Sequence, residues 1–252
     1  MIKYFTVNEN KCSIRCRIQC CSEASVDRII LYCHGFAGNK DSSSTRRLAE
    51  KLVPSYKTTA VVSFDWPCHG DDRSPRLDLS VCELYLRTVI SYLHGRFGAV
   101  PIFVNAISFG AYLILKYISD NGNPFEKIVL RSPAVPMYQG LTEKIMTKDD
   151  LAALAKSRPA LVGFDTKVRI TPQFLQELKD EDLFKRSFCA FADDILILHG
   201  TEDEIVPFDR VCEFAEQNEL LLLASEGADH RFTDPEKFCA AVNSAAAFFG
   251  LS

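Results

Sequence analysis

The chain contains no long run of lysine or arginine, and its formal charge is −4. A weakly negative field repels polyphosphate, so nucleic acid is not an expected partner. Long apolar runs are missing as well. The longest purely aliphatic stretch, residues 220–224, falls far short of the roughly 20 residues that cross a bilayer, so no membrane partner is expected either. Residues 1–17 hold no continuous apolar segment of signal-peptide type. The expectation is a soluble, cytoplasmic chain. Internal repeats, low-complexity tracts and long linkers are also absent.

Cysteine, by contrast, is plentiful, with ten residues. No two have the C-x-x-C spacing of a zinc knuckle, and a disulfide framework belongs to exported chains. Cys12, Ile14, Cys16, Ile18 and Cys20 share one parity, while Ser13, Arg15, Arg17 and Gln19 share the other. That alternation reads as a half-buried strand using cysteine as a small hydrophobe, and no metal site is expected. With 47% hydrophobic and 25% charged residues, the chain has the balance of a soluble protein with a substantial core. Its 252 residues suit one α/β domain carrying a single insertion.

Residues 2–7 and 11–20 alternate like the arms of an antiparallel hairpin turning at 8–10. Thereafter near-continuous apolar segments at Arg28–Cys33, Thr59–Phe64, 101–105, 127–130 and 195–198 read as buried strands. Helical patterns separate them. Residues 78–93 place Val81, Tyr85, Val89 and Tyr92 on one face, and a further helix spans about 109–118. Asp234-Pro235-Glu236 starts a last helix with an N-cap and proline at the first position. Strand–helix alternation predicts a mostly parallel sheet covered on both faces. Residues 134–193 interrupt it and read as a helical cap over the carboxyl edge of the sheet, where ligands bind in such folds.

Four short segments could carry chemistry. Ala106-Ile107-Ser108-Phe109-Gly110 lies between a strand and a helix, and a serine on such a turn needs small residues two positions away on each side. Its bland alternative is a helix N-cap. His34-Gly35-Phe36 follows the strand Arg28–Cys33. His199-Gly200-Thr201-Glu202-Asp203 follows the strand at 195–198, with Glu202 and Glu204 as competing acids and Asp209 read as part of the next helix's first turn. His230 is the only one of five histidines in the loop before the last helix.

Together these segments resemble the α/β-hydrolase fold, and the resemblance covers nearly the whole chain. The turn at Ser108 is similar to the G-x-S-x-G nucleophile elbow, with Ala106 in place of the first glycine. The order Ser108, Asp203, His230 is that of this fold, unlike those of chymotrypsin and subtilisin. The family implies an eight-stranded, mostly parallel sheet with helices on both faces and a small helical cap. It further implies Ser108 as nucleophile, His230 as general base, Asp203 as the orienting acid, and backbone N–H groups of Phe36 and Phe109 as oxyanion donors. Residues 64–72 look like the D-x-x-G-H-G-x-S loop, with Cys68 replacing a glycine and Asp72 a serine, and are expected to brace the site.

The finer likeness is to small bacterial carboxylesterases of the cinnamoyl/feruloyl type. It implies cleavage of a small-molecule ester without cofactor or metal. Val135, Met137, Tyr138, Leu141, Leu161 and Phe164 are candidates for an apolar substrate wall, or for the cap's own small core. A peptidase or amidase with the same residues, a silent binding protein of this fold, and a homodimer all stay open at this stage.

Overall fold

The computed structural model describes residues 1–10 and 12–251. The chain opens with an antiparallel hairpin, β1 (Ile2–Glu9) and β2 (Cys12–Gln19), in register from Ile2 opposite Gln19 to Glu9 opposite Cys12. Lys11, expected at the start of the second arm, lies outside the described residues. Ile14, Cys16, Ile18 and Cys20 are buried, as their shared parity requires. Arg17, of the other parity, is buried too, hydrogen-bonded to Gln19 and facing Asp41 at 3.5 Å.

Then follow β3 (Arg28–Cys33), α1 (Ser43–Ser55), β4 (Thr59–Phe64), α2 (Leu79–Phe97), β5 (Ile102–Ile107), α3 (Phe109–Asn121) and β6 (Ile128–Arg131). Between β6 and the next sheet strand the chain forms α4 (Met137–Gln139) with a π-helical turn at Gly140–Ile145, then α5 (Lys148–Ala155), β7 (Ala160–Val162), β8 (Val168–Ile170) and α6 (Pro172–Asp180). It rejoins the sheet as β9 (Ile195–Gly200), α7 (Phe208–Gln217), β10 (Leu221–Ser225) and α8 (Pro235–Phe248).

The eight-stranded sheet has the order β1-β2-β4-β3-β5-β6-β9-β10, antiparallel from β1 to β4 and parallel beyond. Alternate residues of its central strands feed two cores. Ile29, Leu31 and Cys33 of β3 join α2 and α3 on one face, and Ile30 and Tyr32 join α1 and α8 on the other. Burial on both sides is why these strands are continuously apolar. The order reverses between β3 and β5, and such a switch leaves a crevice at the carboxyl ends of those two strands.

The segment between β6 and β9 is not purely helical. β7 and β8 pair as a short antiparallel hairpin, which the expectation of a helical cap does not include. Its helices α5 and α6 are capped by Thr147, in a capping box with Asp150, and by Thr171. β10 has no clear signal in sequence because an aliphatic run can be helix or strand, and as the outermost strand it is half exposed.

Candidate active site

Ser108 joins β5 to α3 at φ +52°, a conformation that a non-glycine residue adopts only when its surroundings impose it. Three backbone hydrogen bonds do so. The Ser108 N–H donates to the Arg131 carbonyl at 3.1 Å, and the Ser108 carbonyl accepts from the N–H groups of Tyr112 and Ala134. A Cβ on Gly110 would lie 2.5 Å from the Cys33 carbonyl oxygen and 2.6 Å from that of His34, so α3 starts against the end of β3 only because this residue has no side chain. The Ser108 hydroxyl makes no capping hydrogen bond.

It faces histidine instead. His230 Nε2 lies 3.1 Å from Ser108 Oγ, and His230 Nδ1 lies 2.8 and 3.0 Å from the two oxygens of Asp203. Residues 122 apart in sequence thus meet at one end of the sheet. The turn after β10 is pinned from below, because Ser132 Oγ donates to the His230 carbonyl. Asp203 is fully enclosed, and its Oδ1 accepts the N–H groups of Ile205 and Val206 at 2.9 and 2.7 Å. Burial pushes its carboxyl up, but the hydrogen bond and charge of His230, together with the Val206 amide, outweigh this and hold it below the usual range. Of the two competing acids, Glu202 is exposed and Glu204 accepts the His230 backbone N–H, while Asp209 stands in the first turn of α7 as expected.

The loop after β3 crosses over the elbow, where a Cβ on Gly35 would come within 3.2 Å of Ser108 Cβ. The N–H groups of Phe36 and Phe109 have no acceptor among the described residues. Phe109 is also the first residue of α3, where an N–H is unpaired by construction. His34 and His69 are interior braces. His34 Nε2 accepts from the Trp66 N–H, and each Nδ1 lies 2.8 Å from a backbone carbonyl, Gly35 or Pro67. Burial pulls His34 down to about 3, with His69 adding to it, and burial pulls His69 down to about 4. Both are neutral at pH 7. In the loop at 64–72, buried Asp65 binds the Lys40 ammonium at 3.0 Å and the amides of Lys40 and Asp71. Cys68 takes φ +63°, the left-handed conformation for which the resembling loop carries glycine.

A cavity of about 640 Å³ opens over Ser108 and His230, lined also by Phe36, Arg131, Ile145 and Phe164. Of the six candidates for a substrate wall, Phe164 alone lines it, and Leu161 is exposed. Met137 and Leu141 are buried within the cap, and Tyr138 borders a separate, smaller cavity with Val135, Met137 and Tyr112. Apolar composition in the cap could not separate its internal packing from its cavity wall. Sequence reasoning also misses Arg131, whose only signal is a charge ending an otherwise apolar strand.

Among the described residues, no helix is long and apolar enough to cross a membrane. No curated protein matches the chain. Among solved structures it is similar to Est1E from Butyrivibrio proteoclasticus with bound ferulic acid, at 16% identity and TM-score 0.77 over 98% of this chain and 99% of that one. A protein from Agrobacterium vitis S4 matches at 16% identity and TM-score 0.74 over 98% of both chains. Mouse alpha/beta hydrolase domain-containing protein 10 matches at 14% identity and TM-score 0.69, again over 98% of both. Likeness at such identities establishes the fold. The model of the alpha/beta hydrolase family matches residues 30–241, and the chain belongs to that family.

Proposed function

We propose that this protein is a serine hydrolase that cleaves carboxylic esters through an acyl-enzyme. The observation that carries the proposal is the 3.1 Å approach of His230 Nε2 to Ser108 Oγ while Nδ1 is held by Asp203. His230 takes the Ser108 proton as Oγ bonds to the ester carbonyl carbon. The Phe36 and Phe109 N–H groups meet the resulting oxyanion, and the N-terminal dipole of α3 adds to their pull. The tetrahedral centre then expels the alcohol, which takes the proton from His230. Water, deprotonated by the same imidazole, attacks the acyl carbon and releases the acid and Ser108.

Asp203 holds the imidazole with Nδ1 protonated and stabilises the imidazolium. An ester is favoured as substrate by the likeness to Est1E, whose structure holds ferulic acid. Residues 134–193 act as a cap whose Ile145 and Phe164 shape the acyl pocket. Ten unpaired cysteines support a reducing, cytoplasmic setting. Ser108→Ala tests the proposal. Folded variant protein should lose nearly all turnover of a 4-nitrophenyl ester, and retained turnover rejects it.

A further inference from the structure

Of the charged residues that line the cavity and that the proposed chemistry leaves unused, Lys144, Asp165, Glu204 and Arg231 are exposed and Arg131 alone is buried. Arg131 ends β6, paired in register with Ile107, so it stands on the strand beside the elbow. It is 6% exposed and forms no ion pair among the described residues. Its Nη2 donates to Ser44 Oγ at 2.7 Å, its Nε is buried without an acceptor, and the rings of Phe232 and Phe238 lie 5.3 Å from its Cζ. Asp229, which pulls weakly on it, is engaged by Thr233. A guanidinium buried without a counter-ion is strongly disfavoured, and two aromatic faces offset only part of that.

What faces this guanidinium is also electropositive. Ser44 belongs to the first turn of α1, which has 13 residues and no acidic residue in that turn. Ser42 Oγ satisfies the Thr45 N–H, but those of Ser43 and Ser44 have no acceptor among the described residues. Unpaired amides at a helix N-terminus favour an anion. Arg131 and Ser42 to Ser44 all line the cavity that holds Ser108 and His230. Guanidinium, amides and hydroxyls are thus gathered on one side of it.

We propose that Arg131 and the N-terminus of α1 form a carboxylate subsite, and that the substrate is an ester bearing a carboxylate on its acyl or alcohol part. This rests on the reading of Ser108 as the nucleophile. Two matched pairs test it, namely 4-nitrophenyl hemiglutarate against its methyl ester, and 4-acetoxybenzoate against its methyl ester. In at least one pair the wild type should favour the acid. The acid-to-methyl-ester ratio of kcat/KM should fall about tenfold or more in Arg131→Gln, the scale of one lost charge-assisted hydrogen bond. It should fall less in Ser44→Ala. Ratios equal in wild type and Arg131→Gln for both pairs overturn the subsite and leave the esterase reading intact.

Binding decides the matter separately from turnover. Glutarate should raise the melting midpoint of the wild type but not of Arg131→Gln, even if no ester is cleaved and the esterase reading fails. No rise overturns the subsite, and a rise with inorganic phosphate but not glutarate overturns the carboxylate assignment. Should Arg131→Gln not fold, the Ser44→Ala ratio and the wild-type glutarate shift decide between the same outcomes.

Discussion

Gly110→Ala probes the elbow with a single methyl group. Its Cβ would sit 2.5 and 2.6 Å from two backbone carbonyl oxygens of the β3 end, where comfortable contact needs about 3.5 Å. Neither oxygen can swing aside as a side chain would, so α3 must retreat by about 1 Å. Overpacking of this kind costs about 1–3 kcal/mol, and alanine's better helix propensity returns about 1, leaving a net loss of up to about 2 kcal/mol. The larger effect is on rate. Ser108 precedes the first turn of α3, and a displacement of about 1 Å from His230 lowers kcat by about 100-fold. The control is Gly95→Ala, inside α2, where an added Cβ meets nothing within 4 Å and should stabilise by about 0.5–1 kcal/mol without touching rate. Urea titration beside 4-nitrophenyl ester kinetics reads both. Wild-type kcat in folded Gly110→Ala would refute the idea that β3 contact sets the position of Ser108.

Asp203→Asn should lower kcat by about 10⁴-fold, while Glu204→Gln, which loses the charge but keeps an oxygen able to accept the His230 backbone N–H, should change it several-fold at most; the reverse order in steady-state kinetics would reassign the acid. His34 and His69 sit at about 3 and about 4, below the ordinary value near 6.5, so the unfolded chain binds more protons as pH falls and stability drops with it. Between pH 7 and 5 each should remove about 2 kcal/mol, read as a lower urea midpoint at pH 5 than at pH 7, whereas the Asp203 contribution persists until pH falls into the ordinary carboxylate range. Phe164→Ala should shift preference among acyl groups with little change in stability, and Met137→Ala should lose about 2–5 kcal/mol with preference unchanged. Ester panels and melts distinguish the two.

Periodicity made the parallel sheet legible, because strands buried on both faces cannot avoid continuous apolar runs, as β3 and β4 show. Chain order made Ser108, Asp203 and His230 legible together, although none of the three stands out alone. What stayed hidden depends on packing. The β7–β8 hairpin has three residues per strand, too few for a period to register. Met137, Leu141 and Phe164 are alike in composition, and only coordinates separate the two core residues from the cavity wall. Arg131 closes a strand whose other residues are apolar, and nothing in sequence says that α1 would present its N-terminus to it.

The meeting of Ser108 with His230 is tested most directly by mass spectrometry of the intact chain after treatment with a fluorophosphonate. A single adduct should form on the peptide carrying Ser108, vanish in Ser108→Ala, and form far more slowly in His230→Ala. Folded protein that takes no label, or takes it at another residue, contradicts the assignment of Ser108 as the nucleophile.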